Sequence, residues 1–146
     1  MTAGRKVSDA VDTAVLLRRA QLRKQMACEA ELARVGLTLP QWGMLHAVAT
    51  TPDSSTHALA LSTGQSDQSA GALVTRLEER GLLVRRPGVG KAILHLITPA
   101  GEELAGQGDA IVDEVMGRLL AGLSDRDLQT LRVTLRGIAD AALPPA

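Results

Sequence analysis

Apolar residues recur at helical spacing between Ser8 and Val35, a segment without proline or glycine. They occupy two opposite faces of the predicted helix. One face carries Val11, Val15, Leu22, Met26, Ala30 and Ala33, and the other carries Ala10, Ala14, Leu17, Cys28, Leu32 and Val35. Because a helix that is apolar on two faces needs two surfaces to pack on, one of them can belong to a second subunit.

Three shorter helices are predicted next along the chain. Thr38 as N-cap and Pro40 in the first turn start a helix over QWGMLHAVAT. After the loop TPDSS a third helix starts near Thr56, and a fourth covers DQSAGALVTRLEERG and stops at Gly81. Their predicted core positions are Trp42, Leu45, Val48, Ala70, Leu73, Val74 and Leu77.

A β-hairpin follows at once. Its strands are predicted at Leu82–Arg86 and Ala92–Ile97, and Pro-Gly in the connecting PGVGK suits the centre of a type II turn. The side chains that make this hairpin cationic or titratable are Arg85, Arg86, Lys91 and His95.

Two helices complete the pattern. Thr98 and Pro99 begin one that reaches toward Gly122, in which Gly106 and Gly108 are expected to cost about 1 kcal/mol each relative to alanine. Ser124 caps the last helix. Its apolar positions follow steps of three and four residues, a seam suited to helix pairing: Leu128, Leu131, Leu135, Ile138 and Ala142.

The composition is that of one globular domain over residues 1–146, with 45% apolar residues and a single cysteine. No apolar run is long enough to span a bilayer, and the N-terminal MTAGRKVSDAVD lacks the apolar stretch of a signal peptide. The expectation is a cytoplasmic protein with no disulfide and no membrane partner. The scattered histidines and the one cysteine predict no metal site and no cofactor.

Charge is distributed unevenly although its sum is zero. Residues 1–35 carry net +3, residues 56–97 net +2 and residues 98–146 net −4. A basic face can therefore coexist with a neutral whole. With one tryptophan and no other aromatic residue except histidine, a stacking platform for single-stranded nucleic acid is excluded.

The third and fourth helices match a helix-turn-helix. Ala60 is a small residue at the predicted helix crossing, Gly64 lies at the turn, and Ala70 and Leu73 face back from the second helix. A plain helical hairpin in a core has the same pattern. The cationic hairpin immediately afterwards favours a DNA-binding winged helix, whose second helix enters the major groove.

At these residues the chain resembles the MarR family of bacterial transcriptional regulators. The resemblance rests on LTLPQWGMLHAV, LVTRLEERGLLVRR and LITPAGEEL and on the order of elements. It implies a mainly α (α+β) fold: a winged helix-turn-helix over 38–97 with a two-stranded wing, flanked by dimerisation helices over 8–35 and 98–143. Two differences stand out: Gly71 and Ala72 replace a hydroxyl and a basic residue, and the short wing lacks the family's Asp-x-Arg.

The candidate DNA contacts lie on the recognition helix and the wing. Ser66 caps that helix, Gln68 can bond adenine, and Arg76 suits a phosphate or a surface pair with Glu79. Neighbouring strand residues point to opposite faces, so Arg86, nearer the tip, is preferred to Arg85. The full set is Ser66, Asp67, Gln68, Ser69, Gly71, Ala72, Thr75, Arg76, Arg86 and Lys91.

The resemblance also implies a small anionic or aromatic effector bound between the dimerisation helices and the winged region. Candidate lining residues are Arg18, Arg19, Trp42, Met44 and His46. The alternative places Trp42 in the core and the arginines in solvent. Cys28 is either a redox sensor or, as this tyrosine-free chain favours, a small packed residue. Candidate dimer contacts are Leu17, Leu32, Leu128, Leu131, Leu135 and Ile138.

The sequence therefore predicts a homodimeric DNA-binding regulator, a ligand-responsive repressor of a pseudo-palindromic operator in double-stranded DNA. The rival hypothesis is a winged-helix protein-interaction module without sequence-specific DNA binding. Enzymatic activity is not expected, because adjacent carboxylates such as Glu78 and Glu79 resemble solvated helix faces and no nucleophile–base spacing is present.

Overall fold

The computed structural model describes residues 4–142. In these residues six α-helices and three strands follow one another, with a short 3₁₀ turn after the first helix. The helices are α1 Asp9–Leu32, α2 Leu39–Thr50, α3 Thr56–Thr63, α4 Asp67–Glu79, α5 Pro99–Leu119 and α6 Asp125–Asp140. The strands are β1 Ser54–Ser55, β2 Leu83–Pro87 and β3 Ile93–Ile97. Leu143, the last residue of the predicted dimerisation segment, lies outside the described residues.

Each of these helices begins where a serine or threonine accepts a backbone N–H of the first turn. Thr38 does so in a full capping box, because its hydroxyl bonds the N–H of Gln41 and the Gln41 side chain bonds the N–H of Thr38. The other caps are Ser8, Ser55, Ser66, Thr98 and Ser124. The predicted caps Thr38, Ser66, Thr98 and Ser124 are confirmed.

The wing belongs to an antiparallel sheet of three strands in the order β1-β3-β2, not to an isolated pair. Ser54–Ser55, predicted as loop, pairs with β3, where Ser55 lies opposite Leu94. The expectation was wrong because two serines carry no strand pattern. They are extended only because the free edge of β3 lies beside them.

The wing turn also differs from the prediction. Pro87 ends β2, and the Gly88 N–H donates to the Ala92 carbonyl at 2.8 Å, so the ladder continues past Pro-Gly. Gly90 has a left-handed φ of 67°, so the tight bend lies two residues beyond Gly88, where the predicted type II turn placed it. Val89 at the tip is 97% exposed.

The core lies where the C-terminal half of α1 meets α2, α3, α4 and α5. Cys28 and Leu32 of α1 are completely buried in it. The prediction that Leu32 contacts a second subunit is therefore wrong, since its side chain is already covered within the protomer. Burial raises the pKa of the Cys28 thiol, which keeps it protonated and agrees with a packed residue.

Gly101 and Gly108 allow α5 to approach its neighbours closely. A Cβ on Gly108 would lie 2.5 Å from Cδ1 of Trp42, and one on Gly101 would lie 2.2 Å from the Leu82 carbonyl oxygen. Gly106 has no such neighbour within 4 Å. Gly108 is thus a packing requirement of the α2–α5 contact, a role that helix propensity alone does not show.

α6 packs little against its own protomer. None of its residues over Asp125–Asp140 is buried, although one side of it is apolar. Within residues 4–142, no helix has the length and apolar character needed to cross a membrane.

Candidate nucleic-acid interface

α3 and α4 form the helix-turn-helix. Gly64 ends α3 with a left-handed φ of 69°, and the Gln65 N–H donates to the Ala60 carbonyl at 2.9 Å. Ala60, predicted at the helix crossing, and Ala70, predicted to face back from the second helix, are both buried. The two helices therefore pack closely, and α4 presents one side to solvent.

The outward side of α4 carries most of the predicted base contacts. Gln68, Ala72 and Thr75 are exposed at steps of four and three residues, and Glu79 extends the same side. Gly71 is only partly exposed, because it turns toward the Thr56 methyl group, 4.0 Å from the position of a Cβ. The central stripe of this face is uncharged.

The first turn of α4 is tied to neighbouring side chains. The Ser66 hydroxyl accepts the Ser69 N–H at 3.1 Å and bonds the Ser69 hydroxyl at 3.0 Å. Asp67 lies 2.8 Å from Nδ1 of His57 on α3. The residues remain exposed, so these bonds position the turn without covering it.

Arg76 leaves α4 beside this stripe. No carboxylate of residues 4–142 lies within ion-pair distance of it, so the alternative pair with Glu79 does not form. Arg76 also borders a cavity of about 370 Å³ between α1, α2 and α4. Arg76 is thus free to meet a phosphate.

The two wing arginines pair with carboxylates of the same chain. Arg85 Nε lies 2.6 Å from Glu78 Oε2 on α4, and Arg86 Nε lies 2.6 Å from Asp53 Oδ1 in the loop before β1. Lys91 has no such partner in the described part of the chain. Asp53 and Glu78 were absent from the sequence-based candidates because their partners are 33 and 7 residues away.

His95 joins the wing to the helix-turn-helix from the inside. It is 1% exposed, its Nε2 lies 2.9 Å from the Thr56 hydroxyl, and its Nδ1 lies 3.3 Å from Glu78 Oε1, without the alignment of a hydrogen bond. Desolvation lowers the pKa of His95, so the ring is neutral near pH 7. This buried network fixes the wing relative to α3 and α4. The sequence signal for its burial is the strand periodicity: alternate side chains of β3 point toward the core, and His95 lies at one of these positions.

The predicted effector residues separate into two groups. Trp42 and His46 share one face of α2 and bind the same oxygen of Asp109 on α5: Trp42 Nε1 donates at 2.8 Å, and His46 Nδ1 lies 3.1 Å away. Met44 is completely buried on the other side of α2, so its assignment to a pocket wall is wrong. The helical repeat places it about 200° from Trp42.

A cavity of about 230 Å³ lies beside Trp42, between α1, the start of α2 and the helix-turn-helix turn. Its α1 wall contains Lys24, whereas Arg18 and Arg19 are exposed and do not border it. Its lining is Gln21, Lys24, Gln25, Glu29, Leu39, Pro40, Trp42, Thr63 and Gln65.

Comparison with known proteins agrees with this geometry. The model of the MarR family matches residues 35–92, which include α2, the helix-turn-helix and the first strand and turn of the wing. The helix-turn-helix transcriptional repressor Rv2887 of Mycobacterium tuberculosis is 30% identical over 97 residues, which are 65% of this chain and 70% of the repressor. The chain belongs to the MarR family. It is a DNA-binding transcriptional regulator, and the rival interaction-module hypothesis receives no support.

Solved MarR structures share the whole fold. CouR from Rhodococcus jostii, bound to p-coumaroyl-CoA, superposes with a TM-score of 0.85 at 26% identity, covering 96% of this chain and 100% of CouR. Rv2887 in complex with DNA gives a TM-score of 0.70 at 26% identity, covering 86% of this chain and 95% of Rv2887. Rv2887 has also been solved with salicylic acid. The predicted winged helix fold is confirmed, with the third strand as its one addition.

Proposed function

We propose that this MarR protein is a homodimeric repressor that binds a pseudo-palindromic operator. When a small anionic or aromatic molecule binds, the protein dissociates from the operator or changes its conformation on it. One observation carries the DNA assignment: an exposed, uncharged stripe on α4 lies beside a wing fixed to the same helix through Glu78 and His95. The relative Rv2887 has been solved in complex with DNA, which supports DNA as the ligand.

Within this proposal the recognition helix reads bases. Gln68 can bond adenine in two places, and the methyl groups of Ala72 and Thr75 can contact thymine. Arg76 and Lys91, both without an ion-pair partner among residues 4–142, contact phosphates at the sides. Ser66, Asp67, Ser69, Gly71 and Arg86 stay secondary candidates.

Two substitutions test this division of roles. Lys91→Ala should weaken binding to operator and random DNA alike and lower the salt slope by about one unit, because phosphates carry no sequence information. Gln68→Ala should cost about 1 to 3 kcal/mol on the operator and little on random DNA. Operator fragments selected from the organism's genome, titrated by fluorescence anisotropy at several salt concentrations, provide both readouts. An unchanged affinity of both variants for both DNAs would refute the proposed interface.

The effector site is proposed at the cavity beside Trp42. Its lining includes the aromatic Trp42 and the cationic Lys24, which together suit a carboxylate on an aromatic ring. The salicylic acid bound to Rv2887 is of this chemical class. Since the cavity separates α1 from the helix-turn-helix, a ligand there can alter the distance between two recognition helices. Only one distance matches successive major grooves about 34 Å apart.

Trp42 provides the measurement for this site, because it is the chain's only tryptophan. Titration with salicylate should change its fluorescence, and Lys24→Gln should weaken binding by about tenfold through loss of a charged partner. Arg19→Gln, outside the cavity, is the matched control. Loss of binding in Arg19→Gln, but not in Lys24→Gln, would show that the effector binds at the arginines predicted from sequence instead.

We further infer a cytoplasmic location and no catalytic role, as for a transcriptional regulator.

A further inference from the structure

Asp53 lies at an unusual point of the backbone. It is the only non-glycine residue of the described chain with a left-handed φ, 62°, and its N–H donates to the His95 carbonyl at 3.2 Å. Aspartate tolerates this conformation better than most residues. The bend aims the carboxylate across the sheet at Arg86.

The sheet register makes this reach possible. Ser55 of β1 and Arg86 of β2 both lie opposite Leu94 of the central strand β3. Asp53, two residues before Ser55, therefore meets Arg86 from the opposite edge of the sheet, with Nε and Oδ1 separated by 2.6 Å. Both side chains are about half exposed, 49% for Arg86 and 43% for Asp53.

Arg86 also borders an open cleft of about 330 Å³ on the wing, and three of the residues that line this cleft are cationic. The residues lining it are Arg85, Arg86, Pro87, Gly90, Lys91, Ala92 and Ile93. A cleft with this charge suits one phosphate of the DNA backbone. Yet two of its three cations already face a carboxylate of the same chain.

We propose that Asp53 is an internal competitor for Arg86 that weakens the grip of the wing on the DNA backbone and so lowers sequence-independent affinity. The inference rests on the proposed DNA-binding function. A phosphate that approaches Arg86 must either displace the Asp53 carboxylate from Nε or lie within a few ångströms of its negative charge. Both alternatives reduce the gain from the contact, on any DNA sequence.

Glu78 does not serve the same purpose. Its side chain is only 18% exposed and lies between Arg85 and buried His95, so its removal would disturb the network that fixes the wing. The Asp53 carboxylate has one ion-pair partner, Arg86, among residues 4–142. Asparagine has nearly the same shape as aspartate and also tolerates a positive φ. Asp53→Asn therefore removes the charge and little else.

The test compares Asp53→Asn with the wild type in fluorescence anisotropy, on an operator fragment and on a random duplex, at several salt concentrations. Affinity should rise by about three- to tenfold on both DNAs, and the slope of log K against log salt should steepen by about one unit. Asp113→Asn on α5 removes the same charge from an exposed residue outside these ion pairs, and it should leave both quantities unchanged.

Arg86→Gln separates direct competition from the general field of the carboxylate. In that background Asp53→Asn should gain less than half of its wild-type increase in log K. An equal gain in log K in both backgrounds would overturn the proposal. Weaker DNA binding by Asp53→Asn itself would also overturn it, because Asp53 would then position Arg86 for the DNA and not compete with it. Absence of binding by the wild type to any genomic fragment would instead refute the proposed function.

Discussion

His95 connects the wing to both helices of the helix-turn-helix. Its ring is buried between β3, α3 and α4, where Thr56, Glu78 and, through Glu78, Arg85 surround it. Desolvation is the main cause that lowers its pKa, and the Glu78 carboxylate opposes it only in part. The folded protein therefore holds the imidazole in its neutral form, and His95 is protonated more easily in the unfolded chain.

This shift fixes the sign of a pH dependence. Because the pKa of His95 is lower in the folded protein, its contribution is present above about pH 6.5 and is lost as the pH falls below that value. Between pH 7.5 and 5.5 the wild type should lose more free energy of unfolding than His95→Gln, because only the wild type has to protonate this buried ring. Urea unfolding at both pH values measures the difference. An equal loss in the wild type and in His95→Gln would contradict the assignment.

At the scale of elements, α5 owes its position to glycines that lie against neighbours. Gly101 meets the Leu82 carbonyl at the base of the wing, and Gly108 meets the ring of Trp42, which its bond to Asp109 holds in place. Both contacts join α5 to the DNA-binding part. The intervening Gly106 faces open space and has only the low helix propensity of glycine.

Alanine substitutions along α5 should therefore have opposite effects. Gly101→Ala forces a methyl group against backbone and should destabilise the protein by about 1 to 3 kcal/mol. Gly106→Ala should stabilise it by about 0.5 to 1 kcal/mol, since the helix gains propensity without a clash. Denaturant unfolding of the two variants measures both values. Effects of the same sign would show that α5 does not pack as described.

For the whole molecule, the exposed apolar side chains indicate a second copy. The first half of α1 exposes Val11, Val15 and Leu17, and α6 exposes Leu135 and Ile138 while burying nothing. Leu128 and Leu131 of the same α6 seam are half-exposed. A monomer rarely leaves two such helix faces uncovered. A two-fold homodimer that pairs these helices covers both, as the family membership of the chain implies.

Leu135→Asp and Val133→Asp distinguish this dimer from a merely apolar surface. In the protomer the two residues are similarly exposed, 43% and 57%, but Val133 lies on the opposite side of α6 from the seam. Leu135→Asp should place an unpaired carboxylate in the interface and give monomer or insoluble protein, whereas Val133→Asp should remain a dimer. Analytical ultracentrifugation measures the outcome. A soluble, folded dimer from Leu135→Asp would contradict the assignment of the α6 seam to the dimer interface.

The sequence by itself determined the six helices, the two strands of the wing, their order and the family. Helix starts were legible because caps such as Thr38 and Ser124 act on backbone groups three residues away, and the wing because Pro, Gly and β-branched residues act locally. Periodicity identified the apolar seam of α6. These signals depend on neighbours within one or two turns, so no tertiary information was needed.

Only the tertiary structure decided which partner each side chain has. Leu32 and Leu17 belong to one predicted face. Within the protomer, however, Leu32 lies in the core and Leu17 is exposed, because the globular part covers only the end of α1. Asp53 and Arg86 meet through a strand that the sequence did not reveal. Such pairs depend on sheet register and helix crossing, which contacts between residues far apart in the chain determine together.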